Sequence, residues 1–230
     1  MSFIEENLKR VEENISLAAQ KSGRDRKDIT LVAVTKTHPV CMIREAAALG
    51  VTDAGENKVQ EIRDKFGQVQ GVDWHMIGHL QSNKVKYIID KVKLIHSVDS
   101  ISLMDEIERQ ASKHQREIEV LIQVNISGEQ TKFGICPDEL VCCLEHASTL
   151  TYVKIAGLMT IAPKTDRPDE NRLHFDNIYA RYLDIKTKTY DNVSMKYLSM
   201  GMSGDYTVAI ESGSNMVRVG SAIFGARNYN

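Results

Sequence analysis

Short apolar runs alternate with helix-like stretches along the whole chain. Several of the runs are nearly continuous in valine, isoleucine and leucine, which is typical of strands that are buried on both faces. There are eight runs, at residues 29–35, 51–55, 73–78, 94–98, 118–125, 153–160, 195–201 and 216–220. Because strands and helices alternate, we predict right-handed crossovers and a parallel sheet.

Apolar residues at helical spacing occupy the segments between the runs. They predict helices over residues 40–49, 99–114 and 168–188. A further helix precedes the first run and ends near Gly23. Its apolar stripe consists of Ile4, Leu8, Val11, Ile15 and Ala18.

Eight strand–helix units predict a single α/β domain over residues 1–230, a closed (β/α)8 (TIM) barrel with an extra N-terminal helix. The chain has 230 residues, slightly fewer than the roughly 250 that are typical of this fold. A doubly wound open sheet is the alternative. The count of eight favours the barrel, as does the lack of a G-x-G-x-x-G motif after the first run.

Composition narrows the classes of function. With 29 Lys+Arg against 31 Asp+Glu, the net charge of −2 gives no electrostatic basis for binding nucleic acid or an anionic membrane. No apolar run approaches the roughly 20 residues of a membrane-spanning helix, and the N-terminus is acidic, unlike a signal peptide. The four cysteines form neither a CxxC motif nor a zinc-binding spacing. We therefore expect a cytoplasmic protein with reduced thiols and no nucleic-acid or membrane partner.

Lys36 is the first candidate for chemistry because it follows a strand that reads as buried. Barrel enzymes carry their active sites at the carboxyl ends of the strands. An amine held there against apolar walls is more readily neutral, and a neutral amine can attack an aldehyde to form a Schiff base. The alternative is a lysine that extends to solvent or pairs with a carboxylate.

Two turns rich in glycine and serine follow the last two predicted strands. The first is Ser199-Met200-Gly201-Met202-Ser203-Gly204, and the second is Gly220-Ser221. Phosphate sites in barrels usually lie in these two loops, where glycine lets backbone N–H groups approach an anion and serine adds a hydroxyl. The same residues also mark ordinary turns.

Arg218 is an isolated cation within the apolar run Met-Val-Arg-Val-Gly. Alternation along a strand places it on the face opposite to Val217 and Val219. A buried arginine needs a partner, either a carboxylate such as Glu211 or a ligand atom at the mouth of the barrel. Together with Lys36 and the two turns, it suits pyridoxal 5′-phosphate (PLP), but equally a Schiff-base aldolase that acts on a phosphorylated sugar.

The histidines offer little indication of a metal site. His75 and His79 are four residues apart, but Gly78 interrupts them and His75 lies in a predicted strand, so we expect no metal. The remaining histidines, His96 among them, show no pairing in the sequence.

Motifs along most of the chain resemble those of the pyridoxal phosphate homeostasis protein family, whose fold is that of the alanine racemase barrel domain. The matching stretches are LVAVTK (31–36), GENKVQE (55–61), WHMIGHLQSNKVKYI (74–88), IHSVDS (95–100), QVNISGEQTKFGI (123–135), GLMTIAP (157–163), LSMGMSGD (198–205) and GSNMVRVGSAIFGAR (213–227). The resemblance implies that Lys36 binds PLP covalently as a Schiff base.

The resemblance also implies roles for other residues. Asn57 and Met200 would flank the cofactor ring, Arg218 would face the pyridine nitrogen, and Lys132 would be a secondary contact. The residues implied to hold the phosphate are Ser199, Gly201, Gly220 and Ser221. Many relatives carry threonine where this chain has Ser221, and the hydroxyl is kept.

The resemblance favours a protein that buffers or delivers PLP over one that turns over amino acids. A cation beside the pyridine nitrogen disfavours its protonation, which makes the ring a poorer electron sink. The β-rich domain that carries the second base of alanine racemases is not expected in this chain. The expected partners are PLP and PLP-dependent apo-enzymes as acceptors, with the protein itself a monomer. The alternative is a PLP-dependent amino acid racemase or lyase.

Overall fold

Eight parallel strands close into a barrel in chain order, with β8 pairing to β1. The computed structural model describes residues 1–129 and 132–225. The strands are β1 (Thr30–Val34), β2 (Asp53–Glu56), β3 (Asp73–Met76), β4 (Leu94–Val98), β5 (Ile118–Gln123), β6 (Val153–Met159), β7 (Val193–Ser199) and β8 (Met216–Val219). The predicted barrel is confirmed, and the alternative of an open doubly wound sheet is wrong.

Helices surround the barrel and connect most of its strands. They are α1 (Phe3–Lys21), α2 (Val40–Ala48), α3 (Val59–Lys65), α4 (Ile101–Lys113), α5 (Leu140–Ala147), α6 (Arg172–Lys186), α7 (Tyr206–Glu211) and α8 (Ser221–Phe224). The helix predicted over 168–188 begins later than expected, because residues 168–171 form a 3₁₀ turn. A second 3₁₀ turn, over residues 82–87, stands between β3 and β4, and no helix was predicted there. Within the described residues, no helix combines the length and apolar character that a membrane crossing requires.

Alternation along the strands separates the interior of the barrel from its outer layer. In β1, Leu31 and Ala33 pack outward against α1, whereas Val32 belongs to a small interior cluster. Val217 and Val219 of β8 also face α1, so Arg218 between them points into the barrel as the alternation predicts. The members of the interior cluster are Val32, Leu94, Leu121, Ala156, Met159 and Met216.

The predicted extra helix, α1, covers the seam between the first and last strands. It begins at a capping box in which Ser2 and Glu5 satisfy each other's backbone N–H groups, and it ends at Lys21, two residues before Gly23, whose φ is +70°. Its apolar stripe is buried against β1, β8, α7 and α8. Asn7 donates a hydrogen bond to the Ile223 carbonyl at 3.0 Å, which ties α1 to the last helix.

Gly157 marks a close approach between β6 and β7. Its φ is +148°, and an added Cβ would lie 1.8 Å from the Tyr197 carbonyl oxygen. The strand register shifts at this point, between Ile155 and Gly157. Because the contact is with backbone, a side chain here could be accommodated only by separating the two strands.

We therefore expect Gly157→Ala to lower the free energy of unfolding by more than about 3 kcal/mol in urea denaturation. Gly67→Ala is the matched control, since Gly67 also has a positive φ of +82° but nothing lies within 4 Å of its added Cβ. The control should lose only the strain of the left-handed conformation, about 1–2 kcal/mol. Equal losses in the two variants would contradict this explanation.

Candidate functional site

A cavity of about 440 Å³ opens at the carboxyl ends of the strands. Five of the eight residues predicted for the site line it, namely Lys36, Asn57, Arg218, Gly220 and Ser221. They come from the ends of β1, β2 and β8, which the closure of the barrel brings together. A larger cavity, of about 760 Å³, lies beneath α1 at the opposite end and contains none of these residues.

Lys36 is half-buried and lies two residues beyond the end of β1. The cavity wall around it includes three apolar side chains, Val34, Ile77 and Ile161. The wall also contains a second lysine, Lys164, which follows β6. A primary amine in a partly apolar cavity of this size is suited to react with a small carbonyl compound.

A buried cation fixes the backbone immediately before Lys36. Lys65 of α3 is only 8% exposed, and its Nζ donates to the Thr35 carbonyl at 2.9 Å and to Glu56 Oε1 at 2.7 Å. The Thr35 hydroxyl donates to the same carboxylate oxygen at 2.6 Å. Burial raises the pKa of Glu56, and the hydrogen bonds from Lys65 and Thr35 oppose that effect.

A second carboxylate fixes the backbone immediately after Lys36. Glu61 Oε2 accepts hydrogen bonds from the Thr37 backbone N–H at 2.6 Å and from Lys65 Nζ at 2.8 Å. Burial opposes the ionisation of Glu61, but these two hydrogen bonds outweigh it and lower its pKa. Thr37 has a φ of +66°, an unfavourable conformation for a β-branched residue. The Glu56–Lys65–Glu61 cluster therefore holds both neighbours of Lys36 in place.

Arg218 is 4% exposed, and its guanidinium is anchored inside the mouth of the barrel. Its Nη1 donates to Ser199 Oγ at 2.6 Å, and its Nη2 donates to the Thr160 carbonyl at 2.9 Å. Burial lowers its pKa to about 10, against the favourable charge of Asp205, so the side chain is still a cation at neutral pH.

The alternative partner for Arg218, Glu211, is engaged elsewhere. Its carboxylate forms ion pairs with Lys21 at 3.2 Å and with Arg172 at 2.9 Å. The guanidinium therefore has neutral oxygen acceptors and lines the cavity as a buried positive charge.

The loops after β7 and β8 are joined by Ser203. Its hydroxyl accepts hydrogen bonds from the backbone N–H groups of Gly220, at 3.0 Å, and Ala222, at 3.4 Å. An added Cβ at Gly220 would lie 3.2 Å from the Val34 carbonyl oxygen, so this loop packs closely against the end of β1. Two backbone donors thus lie beside the cavity, where an anion could compete with Ser203 for them.

The loop after β7 supplies different wall residues from those predicted. Ser199 is fully buried and its hydroxyl is occupied by Arg218 and His96, while Met200 belongs to the hydrophobic core. The cavity wall instead contains their successors, Met202, Ser203 and Gly204. Contacts of Ser199, Met200 and Gly201 with a cofactor stay predictions.

Gly201 determines the path of that loop without lining the cavity. Its φ is +93°, and an added Cβ would lie 2.6 Å from Ala209 Cβ. Its carbonyl accepts a hydrogen bond from the Arg218 backbone N–H at 3.0 Å. Only glycine therefore permits the chain to turn here and pair with β8.

Asn57 lines the cavity and carries an unsatisfied side-chain acceptor. Its Oδ1 is buried and has no hydrogen-bond partner within the described residues. Its backbone packs tightly on Gly78, where an added Cβ would lie 2.4 Å from the Asn57 carbonyl oxygen. An unpaired buried acceptor carries a cost in free energy, so this oxygen lacks the partner that its burial would ordinarily require.

Two further residues considered from the sequence lie near the cavity. Lys132 forms an ion pair with Glu129 at 2.6 Å and lines an adjoining cavity of about 160 Å³, which shares Ile161 with the larger one. His79 stacks on Phe133 with the ring centroids 3.8 Å apart, and its Nδ1 lies 3.0 Å from Asp99. Within residues 1–129 and 132–225, no group of three or more acidic, histidine or cysteine side chains could hold a metal ion.

Sequence reasoning missed two clusters. The first is the Glu56–Lys65–Glu61 cluster. The second is a pairing of His75 with His96, whose ring nitrogens lie 2.9 Å apart inside the barrel. Both histidines come from runs predicted as strands that neighbour each other, so a register between β3 and β4 could have indicated the second cluster.

Comparison with known proteins identifies relatives over the full length. The family model "Alanine racemase, N-terminal domain" matches residues 7–228. The chain is 43% identical to the pyridoxal phosphate homeostasis protein of Aquifex aeolicus over 226 residues, which cover 97% of this chain and 98% of that protein. It is 38% identical to the protein of the same name from Escherichia coli strain K12 over 235 residues, covering 100% and 99%.

A solved structure agrees with these matches. PipY of Synechococcus elongatus, described with PLP bound, superposes with a TM-score of 0.84 at 32% identity, covering 96% of this chain and all of that one. Alanine racemase of Corynebacterium glutamicum has the same fold, with a TM-score of 0.69 at 14% identity.

The cluster behind Lys36 makes a prediction about stability. Lys65→Met leaves Glu56 buried without its cation, so we expect the free energy of unfolding to fall by about 3–5 kcal/mol. Adding Glu56→Gln should recover part of this loss, because the amide carries no charge. Lys188→Met, which removes an exposed partner of Asp184, is the control and should cost at most about 1 kcal/mol. If Lys65→Met costs no more stability than the control, Lys65 does not compensate the buried charge of Glu56. Urea denaturation of the unmodified protein and the three variants measures these losses.

Proposed function

We propose that this chain, which belongs to the pyridoxal phosphate homeostasis protein family, binds PLP at Lys36 and buffers or delivers it. The proposal rests on that membership and on the cavity at the carboxyl ends of the strands. One observation carries the proposal. A half-buried lysine, a buried arginine and an asparagine together line a cavity of about 440 Å³, a size suited to a small cofactor.

Lys36 is the residue we propose to hold the cofactor covalently. When bound, PLP supplies an aldehyde that an amine captures reversibly as a Schiff base. The fixed backbone on both sides of Lys36 limits where its amine can reach. This reduces the conformational entropy lost on binding.

The phosphate is proposed to bind where the loops after β7 and β8 meet. Gly220 and Ala222 offer backbone N–H groups there, Ser221 lies between them on the cavity wall, and Lys164 adds a positive charge. Among the residues predicted for this role, Gly220 and Ser221 lie on the wall. Ser199 and Gly201 do not lie on the wall and would instead support the residues that do.

Arg218 is proposed to face the pyridine nitrogen of the cofactor. A permanent cation at that position disfavours protonation of the nitrogen, because two positive charges would then be adjacent. An unprotonated ring supports carbanion chemistry poorly. The arrangement therefore favours holding the cofactor over turning over an amino acid.

Release is proposed to proceed by exchange of amines. The amine of an acceptor, such as the active-site lysine of a PLP-dependent apo-enzyme, replaces Lys36 on the aldehyde carbon, and Lys36 is regenerated as a free amine. We place this exchange in the cytoplasm, with the protein acting as a monomer. Free thiols at Cys41, Cys136 and Cys142 are exposed, which suits a reducing compartment.

The attachment site can be tested by reduction with borohydride after incubation with PLP. We expect intact-mass spectrometry to find one reduced cofactor on the unmodified protein and none on Lys36→Ala. Lys164→Ala is the matched control for the attachment point, since Lys164 is a second lysine on the same cavity wall. It loses a charge proposed to meet the phosphate, but at a saturating concentration of PLP it should retain the adduct. An adduct that persists in Lys36→Ala, or a protein that takes up no PLP, would overturn the proposal.

Delivery can be tested by mixing the loaded protein with a PLP-dependent apo-enzyme in the presence of a scavenger of free PLP. We expect the apo-enzyme to regain activity although the scavenger removes any cofactor released to solution. The comparison is the same quantity of free PLP with the scavenger, which should give little reactivation. If both samples reactivate equally, the protein only buffers the cofactor.

A further inference from the structure

Four buried hydrogen bonds connect the two ends of the barrel through its interior. Asp53 Oδ1 lies 2.9 Å from His75 Nε2, and His75 Nδ1 lies 2.9 Å from His96 Nε2. His96 Nδ1 lies 3.0 Å from Ser199 Oγ, to which Arg218 Nη1 donates at 2.6 Å. We call this series the axial chain.

The axial chain joins two separate cavities. Asp53 is the first residue of β2, and both Asp53 and His75 line a small cavity of about 80 Å³ at the amino ends of the strands. Arg218, at the other end, lines the proposed cofactor cavity. His75, His96 and Ser199 between them are at most 1% exposed.

The Asp53 carboxylate and the Arg218 guanidinium, at the two ends of the axial chain, fix the direction of its hydrogen bonds. A guanidinium can only donate, so Ser199 Oγ accepts from Arg218. An ionised carboxylate can only accept, so His75 must donate from Nε2 to Asp53. When His75 is neutral, its Nδ1 must then accept from His96 Nε2–H, which leaves His96 Nδ1 to accept the Ser199 hydroxyl proton.

Asp53 is held in the ionised form that this direction requires. Burial opposes its ionisation, but the hydrogen bonds from His75 and Thr52 outweigh that effect, and the pKa of Asp53 falls to about 2. Lys93 also lies near it, with Nζ 3.5 Å from Asp53 Oδ1.

The opposite direction requires one additional proton. His75 would have to become an imidazolium and donate to His96, which would then donate to Ser199. Burial, the neighbouring His75 and the Arg218 charge lower the pKa of His96 well below its usual value, so His96 itself stays neutral in either direction. The remaining polar side chains facing this end of the axial chain are Thr30, Glu119 and Tyr197.

We propose that Asp53, His75, His96 and Ser199 are positioning residues that act as one unit, and that their fixed hydrogen-bond direction holds the Arg218 guanidinium toward the cofactor. This inference rests on the proposed function. The axial chain keeps Ser199 as an oriented acceptor for Arg218, and it ends in the Asp53 carboxylate, which sets the direction of its hydrogen bonds.

Stability alone does not account for this arrangement. The surrounding interior cluster is apolar, and replacing a buried polar network by well-packed apolar side chains is often neutral or stabilising. Two imidazoles in the centre of the barrel add no evident packing advantage over leucine or methionine. Their distinctive property is a defined direction of hydrogen bonding, and that direction ends at Arg218.

The first test uses the cofactor-free protein labelled with ¹⁵N-histidine. At neutral pH we expect NMR to find both His75 and His96 protonated on Nε2 and not on Nδ1. We also expect a ¹⁵N–¹⁵N coupling across the hydrogen bond from His96 Nε2 to His75 Nδ1. A proton on Nδ1 of either ring, or an imidazolium, would overturn the proposal whether or not the protein binds PLP.

The second test is a double-mutant cycle on PLP affinity. Asp53→Asn neutralises one end, and Ser199→Ala cuts the axial chain just before Arg218. We expect Asp53→Asn to weaken binding at least about threefold in the unmodified protein and to have little effect in Ser199→Ala, because the connection is already broken. Asp105→Asn, which disrupts an exposed pair with His146, is the control and should leave affinity unchanged.

The outcomes separate this inference from the proposed function. If the unmodified protein binds no PLP, the proposed function fails, and the NMR result alone decides whether the axial chain exists. If PLP binds and the double variant loses affinity by the product of the two single fold losses, the residues do not act as a unit. The same conclusion follows if Asp53→Asn leaves the affinity for PLP unchanged. Either of those results would overturn the proposal.

Discussion

The pairing of β8 with β1 is the constraint on which the rest of the structure depends. Four residue pairs, from Thr30 with Met216 to Ala33 with Val219, close the sheet on itself. This pairing places the loop at Gly220 against Val34 and therefore beside Lys36, although the two are far apart in sequence. The proposed covalent residue and the proposed phosphate loop are neighbours only because the barrel is closed.

The eight strands were predictable because most of them are short apolar runs, and the residues that interrupt that pattern were predictable for the same reason. Lys36 and Arg218 are charges next to or within such runs, so both were found. The wall residues of the loop after β7 were less predictable. The positive φ of Gly201 turns Met200 into the core and exposes Met202 to the cavity, and sequence spacing does not contain that turn.

The clusters that sequence reasoning missed share one cause. The Glu56–Lys65–Glu61 cluster and the His75–His96 pair each unite residues from different elements, and their contacts depend on strand register and helix placement. A single sequence gives the face of a strand on which a residue lies but not its height in the barrel. Polar residues in apolar strands can therefore be recognised as needing partners before those partners can be named.

The contact of α1 with the last strand and helix has a consequence for how the protein is made. Asn7 bonds to the Ile223 carbonyl, and the apolar stripe of α1 rests on β8 as well as on β1. Although α1 precedes every strand in the chain, it can therefore bury its whole apolar face only after β8 has been synthesised. Contacts between such distant parts of a chain slow folding. The lysine and its cavity come into being together with the final closure, so an incomplete nascent barrel offers no complete site to a reactive aldehyde.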